Sequence, residues 1–121
     1  MVHINYARSS KIDTSLFWNS EAGNQPTRDW FKALPELERT KLGKDLRRVQ
    51  FGWPVGMPLV KSLGMGLWEL RSSLPNKREA RVIFCIVENT IFVLNGFIKK
   101  TQKTPLAELN LATKRMKDVI S

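Results

Sequence analysis

Arg71, Arg81, Lys99, Lys100 and Lys103 are the residues of this 121-residue chain whose types and spacing could do chemistry, and Glu69 is the carboxylate expected beside them. Guanidinium and ammonium groups gathered on one surface do one thing well: they stabilise the charge that develops on a phosphate. The chain offers little else. His3 is its single histidine and Cys85 its single cysteine, so neither a metal site nor an internal disulfide is expected. Cys85 lies in the apolar run Val82 to Val87 and reads as a small buried hydrophobe. There is no Gly-rich phosphate loop and no Ser/His/Asp order, and no cofactor is expected. If the phosphate belongs to RNA, the ribose 2′-hydroxyl can be the nucleophile. The protein then has to move its proton and stabilise the dianion, and a lysine can take the proton when neighbouring cations lower its pKa. Basic patches more often position nucleic acid than cut it, so on composition alone backbone binding leads and cleavage follows.

The charge balance points the same way. Twenty Lys and Arg against 11 Asp and Glu give a formal net charge of +9 and a pI near 10.1, which makes a polyanion the default partner. The excess is concentrated at the C-terminal end, where residues 96–121 hold six basic and two acidic side chains. At 42% hydrophobic residues the chain can fill one core, and residues 1–121 are expected to form a single domain. No run of about 18 apolar residues is available to span a bilayer, and Met1 to Tyr6 lacks the blocks of a signal peptide, so a cytoplasmic location is expected.

The elements that must position these cations follow from periodicity. Residues 2–8 alternate loosely and suggest a first strand, followed by an irregular segment to Asn24 in which Phe17 and Trp18 pack on the body. Pro26 opens a short helix that carries Trp30, Phe31 and Leu34 and stops at Pro35. A second helix runs from Glu36 to Phe51, with Leu37, Leu42, Leu46 and Val49 as its apolar stripe. Arg39, Lys41, Lys44, Asp45, Arg47 and Arg48 face outward. Gly52 ends it, and Trp53 to Pro58 is too rich in Pro and Gly to be helical. Three strands follow: Leu67 to Ser73, Arg81 to Val87 and Ile91 to Phe97. Their short links force antiparallel neighbours in a meander. Thr104 is expected to cap a last helix beginning at Pro105, with Leu106, Leu109, Ala112, Met116 and Ile120 inward. The fold class is therefore α+β, a two-helix hairpin on a small antiparallel sheet closed by a C-terminal helix. Trp30, Trp53 and Trp68 read as packing aromatics rather than base-stacking platforms.

Register brings the cations together. A loop over about 74–78 sets Arg71 directly across from Arg81, with Glu69 on the same face by parity. Like charges directly opposite are destabilising unless something negative lies between them, so Glu69 or an anionic ligand should bridge the pair. A tight turn pairing Val87 with Ile91 puts Phe97 beside Arg81, and the chain leaves the sheet there into Lys99, Lys100 and Lys103. The N-terminus of the last helix, favourable to anions, opens next to them.

At this point the chain resembles a known family. Gly66-Leu67-Trp68-Glu69-Leu70-Arg71, Arg81-Val82-Ile83-Phe84 and the block from Gly96 to Pro105 are similar to the signature segments of HigB-like toxins, within the RelE/ParE superfamily of type II toxin–antitoxin modules. The likeness spans about residues 26–118. It implies a RelE-like α+β fold and metal-independent endonucleolytic cleavage of mRNA in the ribosomal A site. It also implies control by a cognate helix-turn-helix antitoxin. By position, Arg81 matches the phosphate-stabilising arginine of such toxins, Lys100 stands near their leaving-group-side arginine, and Arg71 matches a basic residue on the preceding strand. The pattern departs at Glu69 and Leu67, where RelE has lysines. Lys99, Lys103 and Glu69 are therefore the remaining choices for the base. No histidine or tyrosine of the family has a counterpart, since His3 and Tyr6 lie at the other end of the chain.

The expected catalytic set is thus Arg81, Lys100, Arg71, Glu69 and Lys103. Lys99, Lys61, Lys77, Arg78, Arg47 and Arg48 are expected to hold RNA, with the ribosome and mRNA as partners. Two other functions fit the same fold: a ParE-like inhibitor of DNA gyrase that cuts nothing, and a basic nucleic-acid-binding module.

Overall fold

The computed structural model describes residues 12–121. The strand expected at 2–8 lies outside the described residues, as do His3 and Tyr6. Strand β1 (Thr14–Phe17) is followed by helices α1 (Pro26–Lys32) and α2 (Glu36–Gly52). Then come β2 (Val60–Gly64), β3 (Leu67–Leu74), a 3-10 turn (Pro75–Lys77), β4 (Arg78–Val87), β5 (Thr90–Ile98) and helix α3 (Leu106–Ile120). The sheet order is β1-β5-β4-β3-β2. The expected meander β3-β4-β5 is its centre, but two edge strands extend it: β2 pairs antiparallel with β3, and β1 pairs parallel with β5. Both are short, and neither Thr-Ser-Leu-Phe nor Val-Lys-Ser-Leu-Gly shows a sustained apolar alternation.

The α1–α2 hairpin covers one face of the sheet. Leu70, Leu74, Val82 and Phe84 pack there against Leu34, Leu42 and Val49, and burying each such side chain contributes roughly 1.5–3 kcal/mol. Trp53 meets Trp68 edge-on at 5.0 Å and Phe84 at 5.7 Å, so the tryptophan of the Pro-rich loop is a packing residue. Trp30 lies flat against Gly96, where an added Cβ would sit 2.5 Å from the indole. Only glycine fits there, which accounts for its place in the motif.

The apolar stripe of α2 is not the expected one. Leu37 is 72% exposed, while Glu38 and Asp45 are buried at 2%. Each carboxylate is partnered, which is the condition for burying it. Arg78 donates from Nε and Nη2 to Glu38 at 2.8 and 2.9 Å, and Asp45 accepts from Ser72 Oγ at 2.7 Å and Lys41 Nζ at 2.6 Å. The other face carries Leu67, Ile83, Cys85, Leu94 and Phe97 under Leu109, Ala112, Met116 and Val119 of α3. Leu106 and Ile120, expected to be inward, are exposed.

Arg71 pairs with Arg81, and Arg81 with Phe97, as the register argument required. The second pairing arises differently from the expectation. The turn is tighter, pairing Val87 with Thr90 and Ile86 with Ile91, and a bulge between Ile83 and Phe84 then restores the offset. The extra residue is Leu94. Its carbonyl, freed from the ladder, accepts from Thr27 Oγ1 at 3.3 Å and from Arg115 Nη1 at 2.8 Å, so both helical layers satisfy the bulge. Among the described residues no helix is long and apolar enough to cross a membrane.

Candidate functional site

Helix α3 covers only part of its face of the sheet. Toward the start of β4 the same face is open, and its inward positions change from apolar to charged: Glu69 and Arg71 on β3, Glu79 and Arg81 on β4, Lys99 just beyond β5, and Lys61 on β2 opposite Glu69. With Lys103 and Thr104 from the loop before α3, all of these but Glu79 line a cleft of ≈ 240 Å³.

Glu69 is the hub. It is 3% exposed, and its Oε1 stands 3.9 Å from Nε of both Arg71 and Arg81. That is close enough to balance their charge and too far for a hydrogen bond. Its Oε2 accepts from Thr104 Oγ1 at 2.5 Å. Thr104, expected to cap α3, stands one residue outside it: the helix begins at Leu106 with Pro105 at the N-cap position and no side-chain cap.

Arg81 is 5% exposed, and its Nη1 donates to the Ala80 carbonyl at 3.1 Å and to Glu79 Oε1 at 3.4 Å. Among the described residues no buried side-chain nitrogen or oxygen lacks a partner. The Arg81 donors that make no protein bond are therefore those that reach the cleft. Arg71 makes one weak contact, from Nη1 to the Met57 sulfur at 3.8 Å.

The second cation beside Arg81 is Lys99, where the sequence pointed to Lys100. Backbone parity decides this. The Lys99 N–H still donates to the Glu79 carbonyl at 2.7 Å, so Lys99 continues the strand on the face of Phe97 and Arg81. Lys100 turns away into a neighbouring groove with Lys77 and Arg78. Lys103 returns to the cleft. Of the wider set, Lys61 lines the cleft, Arg78 is held by Glu38, and Arg47 and Arg48 lie on α2. The cleft widens, past Arg71, Arg81 and Lys99, into an open hollow of ≈ 470 Å³ that Lys41 and Arg48 reach from α2. Thr104 and Lys41 were not singled out for the site. Nothing local marks Thr104 as a partner for a carboxylate 35 positions away.

Other reactive groups are spoken for. Burial pushes the Cys85 thiol up to about 11, which suppresses its thiolate. A larger cavity of ≈ 710 Å³ lies beside Trp18, Arg115 and Asp118. Three of its groups interact with one another: Trp18 Nε1 donates to Asp118 at 3.1 Å and Arg115 stacks 4.5 Å over the indole. Burial draws the Arg115 guanidinium below its ordinary range, with Glu108 acting in the opposite sense. Among the described residues, no three His, Cys, Asp or Glu side chains are grouped to hold a metal.

Comparisons with known proteins add two findings. The family described as Phage derived protein Gp49-like (DUF891) matches residues 29–117, which take in the second half of α1, all of α2, β2 to β5 and most of α3. Among solved structures, a doubly arginine-to-alanine-substituted toxin RelE from E. coli, in the free state, superposes with a TM-score of 0.59 at 15% identity. The match covers 85% of this chain and 96% of that one. At that identity the likeness is one of fold. No curated protein sequence matches the chain.

Proposed function

From the premise that the chain belongs to the phage-derived Gp49-like family and has a RelE-like fold, we propose that it is the toxin of a toxin–antitoxin module. In this reading it is a HigB-like endoribonuclease that cuts mRNA on the ribosome without a metal. The observation that carries the reading is the convergence of Arg71, Arg81 and Lys99 on one cleft, with guanidinium donors left free by a carboxylate held at 3.9 Å.

In the reaction, the 2′-oxygen forms a bond to the adjacent phosphorus and the bond to the 5′-oxygen breaks, leaving a 2′,3′-cyclic phosphate and a 5′-hydroxyl. Arg81 and Lys99 stabilise the charge on the non-bridging oxygens and Arg71 aligns the phosphate. Glu69 positions the two arginines. The 2′-hydroxyl proton passes to Lys61 or Lys103 of the rim, acting as the neutral amine, and the other, as the ammonium, protonates the leaving oxygen. A neighbouring gene for a small helix-turn-helix antitoxin is expected, to mask this cationic cleft.

The test is product chemistry. Wild-type protein added to translating ribosomes should yield mRNA fragments ending in 2′,3′-cyclic phosphate, and an Arg81→Ala, Lys99→Ala variant should yield none and permit growth. A double variant that still cuts and still arrests growth would sink the assignment. Stalled gyrase on DNA with intact mRNA would replace it with gyrase inhibition.

A further inference from the structure

Among the described residues, Phe51 is the aromatic one of the exposed large hydrophobic side chains: it is 71% exposed at the end of α2. The residues that line a surface depression with it are all basic. Lys44, Arg47 and Arg48 precede it by seven, four and three positions, spacings that place all four side chains on one stripe of a helix. Together they line a shallow depression of ≈ 410 Å³. Its floor is made by the ring and the aliphatic stems of the basic residues, whose charged ends lie at the rim.

Lys44 and Arg47 have no acidic partner among the described residues, and Arg48 has only Asp45 Oδ1 at 3.5 Å. The acidic side chains of α2 that are buried serve other partners first: Glu38 holds Arg78, and Asp45 holds Ser72 and Lys41. An exposed aromatic ring flanked by three cations, two of them without an acidic partner among the described residues, complements a ligand with a flat apolar face and negative charges a few ångströms away, as in an unpaired nucleotide. Arg48 also lines the hollow that continues the cleft of Arg71, Arg81 and Lys99. A strand leaving the cleft therefore has a cationic path to Phe51.

We infer that Phe51, with Lys44, Arg47 and Arg48, is a second RNA-binding site in which an unpaired base stacks on the Phe51 ring while the cations hold the flanking phosphates. The inference rests on the RNA reading of the cleft for its ligand class, though not on cleavage. The unpaired nucleotide could come from the messenger strand or from a loop of ribosomal RNA, and the two sources are separable by experiment.

The experiment uses the full chain and two probes: a fluorescein-labelled 2′-O-methyl oligouridine 12-mer, which lacks the attacking hydroxyl, and purified ribosomes. Phe51→Ala should weaken binding by roughly 5- to 100-fold, the range for loss of one base–aromatic stack. The slope of log affinity against log salt should be unchanged. Arg47→Gln should lower that slope by about one phosphate equivalent, and Phe51→Trp should bind at least as well as wild type. Weakening on both probes assigns the site to any unpaired strand, and weakening on ribosomes alone assigns it to ribosomal RNA. Equal binding by Phe51→Ala and wild type on both probes overturns the inference. So does wild-type affinity in Phe51→Leu, which would mark an apolar protein contact. Because neither probe assay reads cleavage, a protein that binds through Phe51 yet cuts no mRNA would remove the nuclease reading and leave this site standing.

Discussion

Two arginine–glutamate pairs sit three residues apart on strand β4, and they are built to opposite ends. Arg78 closes on Glu38 with two hydrogen bonds at 2.8 and 2.9 Å. Arg81 faces Glu69 at 3.9 Å with no bond between them. Both glutamates are buried, at 2% and 3% exposure, so burial does not distinguish the pairs. What differs is who else holds the carboxylate. Glu38 has Arg78 to itself, whereas Glu69 is shared by Arg71 and Arg81 and anchored by Thr104. The first pair fastens α2 to the sheet. The second keeps two positive charges adjacent and leaves their donors to a ligand.

The largest effects should come from exchanging which arginine is lost. Arg78→Ala strands a buried carboxylate and should lower stability by about 2–4 kcal/mol, below the range for a fully buried pair because the Arg78 side chain is 43% exposed. Cleavage per folded molecule should stay near wild type. Arg81→Ala should lower the cleavage rate by about 10²–10³ and change stability by less than about 1 kcal/mol, since Glu69 keeps Thr104 and Arg71. Urea denaturation paired with single-turnover cleavage reads both. If Arg81→Ala unfolds the protein and Arg78→Ala silences it, the contrast is inverted and the cleft is not the site.

The contrast also explains what could be read from the sequence. Arg71 opposite Arg81 follows from a loop centred on Asn76, whether it spans the expected 74–78 or the observed Pro75–Lys77, and Phe97 beside Arg81 was reachable although the bulge at Ile83/Phe84 and the tighter turn had to cancel. The helical hairpin followed from Pro26 and Pro35. The role of Arg78 did not follow, because Glu38 on a helix reads as a solvent-facing acid until the strand that meets it is placed. Asp45 is hidden for the same reason. Lys99 and Lys100 are indistinguishable as residue types, and only the persistence of strand geometry to the Lys99 N–H separates them. The edge strands β1 and β2 lack a periodic signal because each is paired on one side only.

A smaller effect should follow from Glu69→Gln, which removes the one negative charge shared by Arg71 and Arg81 while keeping the shape of the side chain. Two unit charges a few ångströms apart in a partly solvated cleft interact by about 1–3 kcal/mol. The variant should therefore bind a non-cleavable RNA roughly 3- to 10-fold more tightly and lose about 1–2 kcal/mol of stability, as the arginines repel. Cleavage should fall despite tighter binding, because the arginines are no longer held in register with the phosphate. Tighter binding with undiminished cleavage would mean that Glu69 only lowers affinity and positions nothing.

The smallest effect tests what keeps the second pair open. Thr104 Oγ1 donates to Glu69 Oε2 at 2.5 Å and so fixes the carboxylate with its other oxygen 3.9 Å from each guanidinium. Without that hydroxyl, the carboxylate can rotate and close on Arg81 or Arg71 as Glu38 closes on Arg78. In Thr104→Val one charge-assisted hydrogen bond is exchanged for another, so stability should change by less than about 1 kcal/mol. Guanidinium donors that the proposed mechanism gives to the phosphate would then be consumed, and cleavage should fall about 3- to 10-fold. Thr104→Ser, which restores the hydroxyl, should recover the rate. A Thr104→Val protein that loses 2 kcal/mol or more while cutting at the wild-type rate would show that the hydroxyl holds the loop to the sheet and has no part in keeping the arginines free.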